Sequence, residues 1–282
     1  MVISIIIVNF NTEGLLRDCL RSIYEKTSGL SCKIFVVDNA SSDGSCTMVH
    51  SEFPEVRLIQ NSENKGFAVA NNQAILLAKG EYIILLNSDT VLLNNALEIM
   101  YDFMEGHDGA GICGPQLLNK DRSIQKSIAE FPSIKKIIGS YIASVNRIKP
   151  LHDFNQFEPQ YYDYTRQKKI VGAALTGACL MIRRSLFEEF GLLDEQYFFY
   201  LEEADWSLSV IKKGWAIWLV PEAKVMHYLM ASVKQSINTE LEIKVKIRQV
   251  KSLIYFYRKH YGQHSVALLK IVLLSFFSAN IF

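Results

Sequence analysis

The chain has 282 residues, 49% hydrophobic and 21% charged, with a formal net charge of +1. That length holds one large α/β domain or two small ones, and the near-neutral balance excludes the broad positive field of a nucleic-acid-binding surface. Five scattered cysteines (Cys19, Cys32, Cys46, Cys113, Cys179) form no CxxC pair and, being odd in number, no complete disulfide framework, which predicts a reducing, cytosolic setting.

The first half alternates strand and helix patterns. Ile3 to Val8 is an apolar run without a basic segment before it or a small-residue cleavage site after it, so it reads as a buried strand rather than a signal peptide. Asn9-Phe10-Asn11-Thr12 is a polar turn, with Asn11 or Thr12 placed to cap a helix in which Leu16, Cys19, Leu20 and Ile23 recur at helical spacing. Ile34–Val37 and Val56–Ile59 are the second and third strands. A turn at 61–67 leads into an alanine-rich helix that Gly80 is expected to end in a left-handed conformation. Tyr82–Leu86 is the fourth strand. The rhythm predicts an α/β fold with a mostly parallel sheet and helices on both faces.

The second half is less regular. Ile112–Leu118 reads as a strand, Ser133–Val145 as a helix or surface segment, and His152–Lys169 as a long tyrosine-rich loop. Val171–Ile182 reads as one buried strand, Glu202–Lys213 as a helix, and Trp215–Val220 as a strand ended by Pro221. A basic amphipathic helix over Glu240–His260 and a more apolar one over His264–Phe277 close the chain. No segment offers the ~20 apolar residues a spanning helix needs.

Five groups carry chemistry. Asp38 and Asn39 end a strand, where an α/β sheet binds its ligands, and a carboxylate there accepts from a base N–H or a ribose hydroxyl; the same turn also reads as a helix cap. Asn64 and Gly66, with Asn71 and Asn72 a turn later, form an amide rim with a conformationally free glycine. Asn87-Ser88-Asp89 ends the fourth strand; Asp89 supplies a carboxylate to a hard cation and Asn87 a neutral oxygen, unless the segment is only an Asx turn. Glu202, Glu203, Asp205 and Trp206 follow Tyr197-Phe198-Phe199-Tyr200, so that acids lie beside aromatics; they fit a helix dipole, and partial burial also tunes such a carboxylate as a general base. His227 gains meaning only as a partner of Asp89.

In this order the segments SIIIVNFNT (from Ser4), VVDNASSDGS (from Val36), NSENKGFAVANN (from Asn61), GEYIILLNSDT (from Gly80), TGACLMIRRSLFEEFGLLDEQYFFYLEEADWSLSVIKKGW (from Thr176) and VPEAKVMHY (from Val220) resemble family 2 glycosyltransferases of the GT-A fold, most closely the rhamnosyltransferase-like branch. The likeness spans about residues 3 to 260. It implies a nucleotide pocket of Asn9, Asp38, Asn39, Asn64, Gly66, Asn87 and Ser88, and a Mg²⁺ or Mn²⁺ ion held by Asp89 and His227. It implies Glu203 as the catalytic base, with Glu202, Asp205 and Trp206 shaping the acceptor site. Asn87 stands where many members carry the first aspartate of DxD, and Glu203 where aspartate is common. The absence of a QxxRW segment favours addition of single sugars over polymerisation.

The activity implied is inverting transfer of one sugar from a nucleotide-diphosphate donor, dTDP-rhamnose or a UDP-sugar, to a hydroxyl of a glycan or lipid-linked acceptor in surface polysaccharide synthesis. The His152–Lys169 loop is expected to order over the donor. Two rivals remain at this stage: a sugar nucleotidyltransferase, whose glycine- and basic-rich phosphate loop is missing at residues 9–12, and a catalytically degenerate scaffold, suggested by Asn87 and Glu203. Residues 1–238 are expected to form the catalytic domain. Residues 239–282, with Lys244, Lys246, Arg248, Lys251, Arg258 and Lys259 among apolar residues, form either a contact with the inner face of the cell membrane or a packing surface for the catalytic domain or a dimer partner. No nucleic-acid partner is expected.

Overall fold

The structure is a computed structural model that describes residues 2–135, 137, 163–198, 200–228 and 239–279, with side chains of the last helix described over 247–274. Strand β1 (Ile3–Asn9) lies between β2 (Cys32–Asp38) and β4 (Tyr82–Asn87), parallel to both, and β3 (Arg57–Gln60) extends this edge in parallel. Beyond β4 the sheet turns mixed. β10 (Cys179–Arg183) is antiparallel to β4 and to β6 (Ala110–Leu118), and β11 (Ala216–His227) is parallel to β6. β5 (Thr90–Leu92) and β8 (Lys168–Ile170) pair antiparallel with β11, and β7 (Ile128–Glu130) and β9 (Ala173–Leu175) form a separate two-stranded sheet.

Alternation along the central strands sorts side chains to two faces. Ile5, Ile7, Val36, Ile84 and Leu86 pack with Leu16, Leu20 and Ile23 of α1 (Glu13–Lys26), Met48 of α2 (Ser45–Glu52) and Leu97 and Met100 of α4 (Ala96–Glu105). Ile6, Phe35, Val37, Ile83 and Leu85 pack with Ala68, Ala70 and Ala74 of α3 (Phe67–Ile75), Leu186 and Phe187 of α5 (Arg184–Phe190) and Trp206 and Val210 of α6 (Glu202–Lys212). Each fully buried aliphatic side chain contributes about 1.5–3 kcal/mol of transfer free energy, so the three layers are fixed by this alternation more than by any polar contact.

Four expectations change. Helix α3 stops at Ile75, and Gly80 has no left-handed backbone; a Cβ there would lie 2.5 Å from the Ser4 nitrogen, so the glycine permits β4 to enter beside β1. The apolar run 171–182 is two strands, β9 and β10, separated by Thr176-Gly177-Ala178. Pro221 does not end its strand: β11 runs on to His227, with Pro221, Glu222 and Ala223 left out of register between Val220↔Pro115 and Lys224↔Gln116, a bulge where a missing N–H is tolerated. The long loop is cut short by β8, while its residues 152–162, and residues 138–145 of the expected upstream helix, lie outside the described residues.

The last helix, α7 (Thr239–Ala279), is broken at Gly262 (φ 80°), which divides it into two arms, as the two sequence patterns predict. Leu253, Phe256 and Tyr257 of the first arm and Val266, Leu269 and Leu273 of the second form a third core with Ile137, Tyr197 and Leu201. Residues before and after position 239 therefore share one core.

Candidate active site

Three strands end at one rim. Asn9 closes β1 directly opposite Asp38, which closes β2, and Asn87 closes β4 opposite Val8. Asn9 is fully buried; its Nδ2 donates to Asp38 Oδ1 (2.8 Å) and Ser41 Oγ (3.1 Å), and its Oδ1 accepts from Thr12 Oγ1 (2.6 Å). Ser41 also donates to Asp38, from its hydroxyl to Oδ1 (2.6 Å) and from its backbone to Oδ2 (2.8 Å). Oδ2, a carboxylate oxygen with more than one lone pair, keeps the capacity to accept a further hydrogen bond beside that of Ser41. Asn11 and Ala40 flank the pair with φ of 53° and 63°, strained for residues with a Cβ, and Asn11 Oδ1 accepts from the Ser42 N–H (2.7 Å). The expected caps differ: Thr12 precedes α1 but turns its hydroxyl inward to Asn9 and Ser88 (3.0 Å), while Asp43 accepts from the first backbone N–H of both α1 (Glu13, 2.9 Å) and α2 (Ser45, 3.0 Å).

Asn39 joins this corner to the next turn. Its Nδ2 donates to the Gly66 carbonyl (3.2 Å), and its Oδ1 accepts from Asn61, which in turn pairs with Gln73 of α3. Asn64 Oδ1 accepts from the Gly66 N–H (3.0 Å). Gly66 has φ 87°, and a Cβ on it would lie 2.5 Å from the Phe198 carbonyl, which accepts from the Phe67 N–H (3.0 Å). Asn72, read as part of the amide rim, is structural: it holds Leu193 by both backbone groups and the Glu195 carboxylate.

The third corner is built around His227. Gln125 Nε2 donates to Asn119 Oδ1 (2.9 Å) and to the His227 carbonyl (3.1 Å), so its Oε1 faces His227 Nδ1 at 2.8 Å. A carbonyl oxygen only accepts, so Nδ1 carries the proton of the neutral ring and Nε2 keeps its lone pair. That lone pair faces Asp89 Oδ1 at 3.3 Å, with Asn87 Nδ2 at 3.5 Å. A carboxylate oxygen and an imidazole nitrogen this close can share one cation, and an amide that orients the histidine from its far side is the usual support of a metal ligand. The pair therefore fits a divalent cation. Among the described residues no three His, Cys, Asp or Glu side chains converge, so water and substrate oxygens would complete the shell.

Glu202 and Glu203 open α6 immediately after Tyr200 and Leu201, two consecutive residues with left-handed backbone (φ 70° and 74°). Such strain costs about 1–3 kcal/mol per residue and persists where the surroundings enforce it. Each glutamate has a buried Oε2 without a hydrogen-bond partner among the described residues. Burial, reinforced by the charge of Glu203, pushes the Glu202 carboxyl well above the usual range. Burial also raises Glu203, but the N–H groups of Glu203, Gly177 and Ala204 pull it back. Both carboxyls are thus raised by burial, Glu202 the more strongly of the two. The turn after β9 links this pair to the end of β4: the Asn87 N–H donates to the Ala178 carbonyl (2.9 Å), and Gly177 lies against the Glu203 side chain, where an added Cβ would be 3.4 Å from Cγ.

Two acceptor-site expectations find other surroundings. Trp206 is 4% exposed, stacks on Phe187 and donates to the Gly191 carbonyl (3.0 Å), so its ring belongs to the core. Asp205 is turned toward α7, where it meets Lys259 and His260. Gln125, Ser41 and Gly177 are the members of the site that sequence reasoning missed. A lone glutamine, serine or glycine has no spacing signal of its own.

A mixed sheet with helices on both faces, whose parallel strands end in Asn9, Asp38 and Asn87 at one rim, has the GT-A glycosyltransferase fold. Solved structures agree: GalNAc-T7 with UDP, GalNAc and Mn²⁺ superposes with a TM-score of 0.60 at 16% identity, covering 81% of this chain and 44% of that one. Residues 4–191 match glycosyl transferase family 2, and the chain belongs to that family. Among curated relatives, the N-acetylglucosaminyl-diphospho-decaprenol L-rhamnosyltransferase of Mycobacterium tuberculosis is 29% identical over 211 residues, 69% of this chain and 66% of the relative. The dTDP-rhamnosyl transferase RfbF of Shigella flexneri is 24% identical over 225 residues, 79% of this chain and 67% of the relative. The first of these relatives is thus matched over slightly less than two thirds of its own length. The family match ends at residue 191, before the glutamate pair and His227.

Proposed function

We propose that the chain transfers a single sugar, with inversion, from a nucleoside-diphosphate sugar to a hydroxyl of a glycan or lipid-linked acceptor in surface polysaccharide synthesis. The observation that carries this reading is the Gly177-Ala178 turn, which lies against the half-buried Glu203 and is bonded to the strand end that bears Asn87, Ser88 and Asp89. A rhamnosyl donor, dTDP-rhamnose first and UDP-sugars second, is favoured by the names of the two relatives above.

In this reading Asp38 Oδ2 accepts from the base, and Asn9, Asn39, Asn64 and Gly66 shape its pocket. Asn87 and Ser88 line the diphosphate. Asp89 and His227 would hold Mg²⁺ or Mn²⁺, which when bound neutralises charge on the leaving diphosphate. Glu203 takes the proton of the acceptor hydroxyl as the oxygen attacks the anomeric carbon; the bond to the diphosphate oxygen breaks on the opposite face. Glu202, protonated, keeps the pair at a single negative charge and borders the acceptor.

The exposed face of α7 carries Arg248, Lys251, Arg258 and Lys270 beside Ile247 (49% exposed) and Leu268 (45% exposed), which supports contact with an anionic lipid surface where a lipid-linked acceptor is presented. No helix among the described residues is long and apolar enough to cross a membrane.

The test is a thermal-shift panel of nucleoside diphosphates and sugar nucleotides with Mg²⁺ or Mn²⁺, followed by transfer assays with the stabilising donors. A ligand that binds only the native state raises its stability by about 2.7 kcal/mol at a hundred times its Kd. Stabilisation by one dTDP- or UDP-sugar, followed by its turnover, is expected. No stabilisation by any sugar nucleotide would overturn the reading, and binding without turnover would favour a scaffold.

A further inference from the structure

The segment between α5 and α6 that delivers Glu202 and Glu203 is gripped from both sides. On the nucleotide side, Asn72 of α3 holds Leu193 and Glu195, and the Phe67 N–H holds the Phe198 carbonyl. On the other side α7 holds it. Lys259 Nζ bridges Asp194 Oδ2 (2.6 Å) and Asp205 Oδ2 (2.7 Å); Tyr255 donates to Asp194 Oδ2 (2.9 Å); and the Arg248 guanidinium lies 3.7 Å from the centre of the Phe198 ring.

Asp205 is the hub. Its side chain is 3% exposed, and its Oδ1 accepts from His260 Nε2 (2.6 Å) and from the Tyr197 hydroxyl (3.1 Å). It lies two residues after Glu203, in the first turn of α6, and its own N–H closes that turn on the Leu201 carbonyl (2.8 Å). The preceding left-handed residues are a conformation the chain would leave if released, because residues with a Cβ disfavour it. A buried carboxylate with three protein donors is a rigid pin, and all three come from outside its own helix turn.

We propose that Asp205, pinned by Lys259 and His260, is a positioning residue for Glu203, so that α7 is part of the catalytic apparatus rather than an appendage. The proposal rests on the assignment of Glu203 as base. Asp205 itself touches neither donor nor acceptor; it sets the direction of the turn from which Glu203 points. Misplacing a reacting group by about 1 Å costs about 10²-fold in rate.

The experiment compares steady-state kinetics of full-length wild type, Asp205→Asn, Lys259→Met, Lys259→Arg and Tyr197→Phe, with nucleoside-diphosphate binding measured on each. Asp205→Asn and Lys259→Met are expected to lower kcat by about 10²-fold while donor KM and nucleotide affinity stay near wild type. Lys259→Arg, which keeps the cation, is expected to restore most of kcat, and Tyr197→Phe to fall between. Wild-type kcat in Lys259→Met overturns the proposal. So does equal loss of nucleotide binding and kcat, or failure of Lys259→Arg to exceed Lys259→Met, either of which marks a general structural role. If Asp205→Asn does not fold, the Lys259 pair and Tyr197→Phe give the same decision. Wild-type protein inactive with every donor would instead overturn the glycosyl-transfer reading.

Discussion

Gln125 fixes the ring of His227. The amide spends both N–H groups on Asn119 and on the His227 carbonyl, so its oxygen can only accept from Nδ1, and the Nε2 lone pair is left facing Asp89. Gln125→Leu removes that constraint without touching either proposed ligand. The Mn²⁺ concentration needed for half-maximal turnover is expected to rise about 10–100-fold, with saturating-metal kcat little changed, as read from a metal titration at fixed donor.

Glu203→Gln keeps the size of the side chain and removes its basicity. Turnover is expected to drop about 10²–10⁴-fold while the nucleoside-diphosphate thermal shift survives. Turnover near wild type would show that another group takes the proton.

The glutamate pair makes both rate and stability pH-dependent. Burial raises Glu203, so the acid limb of kcat is expected above the ordinary glutamate range of about 4.3, with activity falling as pH drops through the raised value. The stability effect has the opposite sense. A carboxyl whose folded value is raised binds more protons in the folded state than in the unfolded one, so the folded state loses stability as pH climbs through the window between the unfolded and folded values. Glu202 is the more strongly raised. Glu202→Gln is therefore expected to raise Tm at pH 8 by roughly 2–4 °C, the shift that about 1 kcal/mol gives in chains of this size class, and to have little effect at pH 4. Calorimetry across pH 4–8 measures it; an unchanged slope would refute the protonated assignment.

Gly66→Ala tests the junction between nucleotide pocket and catalytic segment. The backbone at φ 87° and the 2.5 Å approach of the Phe198 carbonyl both oppose a Cβ. A loss of at least about 1–2 kcal/mol is expected from the backbone alone, visible as a lower urea midpoint. Weaker nucleotide binding should accompany it, because the Asn39 and Asn64 contacts both end on Gly66.

The N-terminal half was legible because each strand is an apolar run that closes on a polar turn. Ile3–Asn9, Cys32–Asp38 and Tyr82–Asn87 end where Asn9, Asp38 and Asn87 were read from the sequence. Beyond residue 110 the same rules failed for physical reasons. Val171–Ile182 is evenly apolar, so nothing in its period reveals that Gly177 turns the chain. Pro221 carries the signature of a strand end yet sits in a bulge, where its missing N–H has no ladder to break. Trp206 and Asp205 looked like cleft residues because acids and aromatics cluster there. Their neighbours, Phe187 and Lys259, lie 19 and 54 positions away and leave no local trace.

That bulge also acts as a spacer. Residues 221–223 add length to β11 that β6 does not match; were they laid into the ladder instead of bulging, His227 would travel about 10 Å further along the sheet and, since three is an odd number, point to its opposite side. The meeting of His227 with Asp89 therefore depends on the bulge staying out of the ladder. Drawing the bulge into a regular ladder would part His227 from Asp89 while leaving Asn9 and Asp38, on strands at the other side of the sheet, where they are.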